Sequence, residues 1–155
     1  MGKMAHVHVD QLNTNLEKET ELLAHKTLKY KLEGRVVAVH GVSIAAHPLI
    51  YRKKIYKLMQ KADLMLVCCP TAWIDSKRRE DLTVTHNAIA PVDELIPHGI
   101  TVSLGTDNIV DIYKPFSDGD MWIELRLLLE SCHYYEISEL VKIATKNGKR
   151  TLGLK

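Results

Sequence analysis

The sequence holds no apolar run approaching the roughly 20 residues that a membrane helix needs, and its polar start lacks the apolar stretch of a signal peptide. It has three cysteines, an odd number with no CxxC spacing, and two of them are adjacent as Cys68-Cys69. That argues against a disulfide framework and for buried thiols in a reducing compartment, so a cytoplasmic location is expected. An excess of one charge is also missing. The formal net charge is +2, and the longest basic run, Lys77-Arg78-Arg79, is followed at once by Glu80 and Asp81. Such a run reads as a solvated loop, and neither a nucleic-acid nor a membrane partner is expected. No strand-like segment is followed by GxGxxG or GxxxxGK[ST], so a nucleotide-binding module lacks its phosphate loop. Low-complexity segments and inter-domain linkers are absent as well.

What is present is an alternation. The 155 residues, 46% hydrophobic and 26% charged, predict one globular domain over 1–155 with a sizeable core. Strand-like runs occur at Ala5–Val9, Arg35–His40, Leu64–Cys69 and Thr101–Gly105. They are apolar on both parities, as strands covered on both faces are. Between and after them lie helical stripes. Leu16, Thr20, Leu23, Ala24 and Thr27 share one face, and Tyr51, Ile55, Leu58, Met59 and Ala62 make a second. Met121, Leu125, Leu128, Leu129 and Cys132 make a third; Ile137, Leu140, Val141 and Ala144 make a last one, closed by Asn147-Gly148 as a C-cap. The polar run from Asp75 to Ala90 reads as a long loop. Strands alternating with helices predict βαβ units and a parallel sheet.

The unit repeats about every thirty residues, and each strand ends in chemistry. His6, His8, Asp10 and Gln11 stand at the end of the first, His40 at the end of the second. Cys68, Cys69 and Pro70 close the third, and Thr106, Asp107 and Asn108 the fourth. In α/β folds sites gather at the carboxyl ends of parallel strands, where the loops converge on one mouth. Imidazoles and a carboxylate at separate strand ends can ligate Zn²⁺ or Fe²⁺, which lowers the pKa of a bound water. An aspartate such as Asp107 can hold the metal and also shuttle the proton. Plainer readings stand beside these. Either His6 or His8 can be a hydrogen-bonded structural histidine, and Asp107-Asn108 can be a turn that caps the next helix.

His8-Val9-Asp10-Gln11, the run Arg35–His40 and the run Gly99–Asn108 resemble three successive signatures of amidohydrolases of the cytosine deaminase-like branch. Asp118-Gly119-Asp120-Met121 and Ala144-Thr145-Lys146-Asn147-Gly148 are similar too, in the same order over nearly the whole chain. The resemblance implies an α/β partial TIM-like (β/α) barrel, its four parallel units corresponding to strands five to eight of a (β/α)₈ barrel. It implies a divalent metal, Zn or Fe, with His8 as the fifth-strand ligand and Asp107 as the eighth-strand ligand and proton shuttle. It places His40 near the metal-activated water or a substrate oxygen. The activity implied is hydrolysis of a C–N bond in a small heterocyclic amide or amidine.

The sequence departs from that pattern in three places. The first-strand His-x-His pair has no room, since seven residues precede His8; His6-Val7-His8 copies the spelling in a fifth-strand context. Gln11 stands where cytosine deaminases carry an acid, and an amide cannot relay a proton. Gln11 is therefore expected to hydrogen-bond a different substrate, together with His47 and Asn108. No β-sandwich follows before Lys155. A (β/α)₈ barrel needs about 250 residues, and four strands leave two open edges. The chain is expected to pair with itself or with a separate N-terminal half, and alone to bind metal weakly; a split-enzyme half or a non-catalytic fragment is the alternative reading.

Remaining residues are read briefly. His47-Pro48 either reaches into the mouth or belongs to a turn. Trp73, Tyr113 and Phe116 stack on a heterocycle or plug a lid. Asp118 and Asp120 are expected to cap the helix near Met121. His25, His86, His98 and His133 are read as non-catalytic.

Overall fold

The structure, a computed structural model, describes residues 2–73 and 89–154. Most of the loop expected over 75–90, with His86 and the side chain of Trp73, falls outside them. Four strands form one sheet: β1 (Ala5–Val9), β2 (Val36–His40), β3 (Met65–Cys68) and β4 (Val102–Leu104). They lie in sequence order, each parallel to the next. The four expected strands are all there, within one residue at each end.

Helices fill the connections. They are α1 (Glu19–Lys29), α2 (Ser43–Ala46), α3 (Leu49–Lys61), α4 (Pro70–Trp73), α5 (Val92–Leu95), α6 (Met121–Cys132), α7 (Ile137–Ala144) and α8 (Lys146–Thr151). A 3₁₀ turn, Ile96–His98, leads into the fourth strand. The arrangement is an arc of a (β/α) barrel.

Strand alternation gives the arc two faces. Val36, Ala38, Leu66, Cys68 and Val102 point outward into a core with Ala24, Ile55, Tyr56, Met59, Leu128, Leu140 and Ile143 from the helices. Burying each large aliphatic side chain of that layer is worth about 1.5–3 kcal/mol. Register puts His6 against Val37, His8 against Val39, and Val39, Val67 and Ser103 in one row on the opposite, inner face. The inner face carries the site.

Two expectations about the helices are corrected. Leu16 stays in the loop before α1 and is exposed, because the helix begins at Glu19. Asn147-Gly148 does not close the last helix. The chain breaks at Thr145 (φ −134°, ψ −84°) and winds again as α8. Asn147 Nδ2 donates to the Val102 carbonyl at 2.8 Å, a tertiary bond that holds the residue inside the new helix. The stop comes at Gly153 (φ +69°): Gly153 N–H donates to Arg150 O at 3.0 Å, and Leu154 N–H to Lys149 O at 2.9 Å. That pair of bonds is a Schellman ending, and the left-handed position favours glycine. In α7 the buried pair is Leu140 and Ile143, while Ile137 and Val141 stay exposed in a groove against α6.

The last helix lies across the inner face. Thr151 Oγ1 stands 3.2 Å from Ser103 Oγ, and His6 Nε2 donates to the Thr151 carbonyl at 2.8 Å. Arg150 bonds Thr101 Oγ1 at 2.8 Å and Asp63 at 2.9 Å. One short helix thus ties β4 to β1 across the amino-terminal end of the arc.

Candidate functional site

At the other end of the sheet stand His8, His40 and Asp107, from β1, β2 and the turn after β4. One donor atom of each lies within 4.8 Å of the other two. His8 Nδ1 is 2.9 Å from His40 Nε2, and the rings meet edge to face with centroids 4.9 Å apart. His8 reaches the cluster through ordinary alternation. Alternation alone would turn His40, next after inner-facing Val39, toward the helices. Its backbone is instead left-handed (φ +82°), which brings the ring back beside His8. Asp107 (φ +61°) and Asp10 (φ +52°) share that conformation, so three strand ends carry a backbone costing about 1–3 kcal/mol each in non-glycine residues.

Burial separates the three. His40 is 1% exposed, whereas His8 and Asp107 are open to solvent. Burial holds the His40 imidazole below its usual pKa; Asp107 pulls it back up and His8 adds to the depression. A neutral imidazole offers the lone pair that metal ligation needs. Two imidazoles and a carboxylate are the donor chemistry of Zn and Fe sites. Nitrogens at the usual distance from a tetrahedral ion stand about 3.3 Å apart, within a few tenths of an ångström of the pair seen here. The donor set fits such an ion.

Nearby groups are shut off from that chemistry. The Cys69 thiol is pushed up to about 12 by burial, reinforced by the charges of Asp107 and Glu124, so it stays protonated. Gly105 lies against it: a Cβ there would meet Val67 Cγ1 at 2.9 Å and Cys69 Sγ at 3.2 Å. All three cysteines are free thiols, Cys68 and Cys69 buried and Cys132 half-buried.

The remaining candidates divide. His6 is tied to the Thr151 carbonyl and takes no part in the cluster. Asp10 is 2% exposed, and its carboxylate accepts Glu19 N–H at 2.8 Å and Thr20 N–H at 3.2 Å. It therefore satisfies two orphan donors at the start of α1 from across a loop. Glu19 returns the bond by accepting Asp10 N–H at 2.8 Å, and Glu17 accepts Leu12 N–H and Ser43 O–H. A second acidic trio, Asp10, Glu17 and Glu19, is thus occupied by the protein's own donors. Gln11 follows Asp10 at the mouth and is half-buried. His47 is 5% exposed, stacks on Tyr51 and donates through Nε2 to the Glu17 carbonyl at 2.7 Å, so it joins the first two loops and lies outside the cluster. Asn108 donates to Asp111, whose carboxylate also accepts Tyr113 N–H and Lys114 N–H and fixes the loop after β4. Tyr113 and Phe116 are exposed on that loop. Asp120 caps α6 through Trp122 N–H at 2.8 Å, and Asp118 accepts Asp120 N–H.

Sequence reading missed Glu124. Its carboxylate is 2% exposed on α6 and accepts the N–H and hydroxyl of Thr71, at the turn after β3. Lys114 Nζ donates to the Thr71 carbonyl from the facing loop. One signal was available: Glu124 shares the buried face of α6 with Leu128, four residues on.

Comparison with known proteins agrees with this fold. The Amidohydrolase family model matches residues 1–155. An uncharacterized protein of Haemophilus influenzae (strain ATCC 51907 / DSM 11121 / KW20 / Rd) is 56% identical over 97 residues, 63% of this chain and 35% of that protein. N-isopropylammelide isopropyl amidohydrolase of Pseudomonas sp. (strain ADP) is 25% identical over 151 residues, 95% of this chain and 34% of that enzyme. The crystal structure of 5-methylcytosine deaminase from Klebsiella pneumoniae, liganded with 5-fluorocytosine, superposes with a TM-score of 0.88 at 24% identity, covering 97% of this chain and 37% of that one. The matched stretch covers about a third of the length of each of these three proteins. With every residue inside the family match, the chain belongs to the amidohydrolase family.

Proposed function

We propose that the His8, His40 and Asp107 cluster is the metal-dependent hydrolytic centre of a C–N hydrolase acting on a cyclic amide or amidine. One observation carries the reading: three donor side chains from three different strand ends lie within 4.8 Å of one another. His8 and Asp107 would hold the ion. When bound, a divalent cation supplies Lewis acidity and lowers the pKa of a water it touches. Asp107 takes the proton from the attacking water at a carboxylate oxygen and passes it to the departing nitrogen, so that a C–O bond replaces the C–N bond and ammonia or an amine leaves. His40 Nε2 faces the same space and orients the water or the substrate oxygen. Gln11 and Asn108, at the rims of the first and fourth strand ends, give amide hydrogen bonds to the heterocycle. His47 acts by holding the second loop against the first.

A second reading is favoured by the match covering about a third of each relative and by the solvent exposure of His8 and Asp107. In it, this segment is one half of a split enzyme, or a non-catalytic fragment, and turnover requires a first half. Both readings meet in one experiment. The chain is assayed for ammonia release from a panel of cyclic amides and amidines in the presence of Zn²⁺ or Fe²⁺, alone and mixed with an N-terminal half. Release that His8→Ala abolishes supports the hydrolase. Release only in the mixture supports the split form, and none in either sinks the catalytic reading.

A further inference from the structure

We infer that Glu17, acting with Ser43, is a positioning residue whose carboxylate clamps the loop after β1 and presents Gln11 at a fixed place beside His8 and His40. The inference rests on the hydrolase reading above for what Gln11 touches, whereas the clamp itself rests on the fold.

The loop is held on both sides of Gln11. On one side, Asp10 N–H donates to Glu19 at 2.8 Å, and the Asp10 carbonyl accepts Ser43 N–H at 3.2 Å. On the other, Leu12 N–H donates to Glu17 Oε2 at 3.0 Å, and the Leu12 carbonyl lies 2.8 Å from Ser43 Oγ. Ser43 Oγ also stands 2.7 Å from that same Glu17 oxygen. One hydroxyl proton serves both acceptors, and the carboxylate takes the larger share because charge-assisted bonds are stronger. Ser43 is fully buried on α2, three residues after His40. Just before it, Gly41 N–H donates to the Val9 carbonyl at 3.2 Å. The chain after His40 is thus stitched to the chain after His8, and Glu17 closes the seam.

Stability alone does not call for this arrangement. Asp10, Glu17 and Glu19 bring carboxylate oxygens within 4.8 Å of one another, and Asp10 holds a left-handed backbone. Like charges at that range repel, and the backbone is strained in a residue other than glycine. Such strain is kept where a particular geometry is needed. Gln11 carries one amide donor group and one acceptor, which match a ring edge bearing one of each, as cyclic amides and amidines do. A pair of bonds of that kind is sensitive to misplacement of about 1 Å. With its backbone already held, Gln11 has only side-chain rotamers left to order on binding.

Nuclear magnetic resonance of the full chain tests the clamp. In the parent, the Gln11 backbone is expected to show an order parameter of about 0.85, with Leu12 N–H protected from exchange. Glu17→Ala is expected to lower the Gln11 value below about 0.6 and to speed Leu12 exchange about tenfold or more, with the amides of α1 and α3 unchanged. Glu17→Gln keeps an oxygen for both bonds and should restore both readouts. Ser43→Ala removes only the buried hydroxyl and should loosen both in the same direction, which decides the matter if Glu17→Ala does not fold.

A positioning role is separated from a merely structural one by binding of 5-fluorocytosine, a ligand of the Klebsiella pneumoniae deaminase, followed through its fluorine. Glu17→Ala should weaken that binding about threefold or more in the parent, and by nothing further once Gln11→Ala is present. Two results overturn the inference: an ordered Gln11 and a protected Leu12 amide in both alanine variants, or a loss from Glu17→Ala that persists in the Gln11→Ala background. A parent chain that binds no 5-fluorocytosine counts against the hydrolase reading, and the order parameters then decide the clamp on their own.

Discussion

His8 Nδ1 and His40 Nε2 stand 2.9 Å apart. At that distance one nitrogen carries the proton and the other offers a lone pair. The pair joins the ends of two adjacent strands and forms one side of the cluster completed by Asp107. Its existence depends on the left-handed backbone at His40, which no pattern of apolar residues encodes.

The two histidines of His6-Val7-His8 should separate cleanly on substitution. His6→Ala removes the bond to the Thr151 carbonyl and is expected to cost about 1 kcal/mol of stability, with metal affinity unchanged. His8→Ala should leave stability nearly intact and lower metal affinity. Urea denaturation and metal titration of both variants check the pair of statements. The opposite assignment would show that His6 is the site residue.

Asp10→Ala strips the start of α1 of the acceptor for Glu19 N–H and Thr20 N–H. The expected loss is about 1–2 kcal/mol, the upper part of the range for N-terminal caps, because the group is buried. Urea denaturation gives the number. A loss within experimental error would mean that Glu19 and Thr20 find other acceptors.

Much of the architecture was open to sequence reading because it rests on local chemistry. The Val-rich runs that became β1 and β2, and the strand-end positions of His8, His40 and Asp107, all follow from short-range pattern. What escaped was tertiary. Asp10 looked like a mouth residue, yet its carboxylate is spent on a helix that starts nine residues later. Asn147-Gly148 looked like a helix ending, and the Val102 carbonyl, forty-five residues away, turns it into a helix interior. His47 could reach the mouth or belong to a turn, and its ring lies stacked on Tyr51. In each case a polar side chain had several partners open to it, and only the packed chain selects one.

Glu124 supplies a pH test. Burial raises its carboxyl pKa above the ordinary value, with the bonds from Thr71 opposing that rise. The folded state therefore holds the Glu124 proton more tightly than the unfolded state does. Its contribution is fully favourable below the unfolded pKa and is lost as pH rises through the folded one. Glu124→Gln can accept Thr71 N–H and donate to Thr71 Oγ1, so it keeps both contacts without the charge. The variant should gain stability relative to the parent as pH rises from 4 to 7. Denaturation midpoints that run parallel across that range would refute the assignment.

Gly105 tests the packing beside the site. Gly105→Ala places a methyl 2.9 Å from Val67 Cγ1 and 3.2 Å from Cys69 Sγ. Neither neighbour can yield freely between β3 and β4, and overpacking of this kind costs about 1–3 kcal/mol. Thermal denaturation should show a lower midpoint for the variant. An unchanged midpoint would mean that this end of the sheet relaxes more easily than its packing implies.

The most direct test of the site is calorimetric titration of Zn²⁺ into the purified chain and its His8→Ala, Asp107→Ala and His6→Ala variants. The account predicts one weakly held ion per chain, lost in His8→Ala and Asp107→Ala and kept in His6→Ala. No stoichiometric binding by the parent chain, or the same binding in His8→Ala as in the parent, would contradict it.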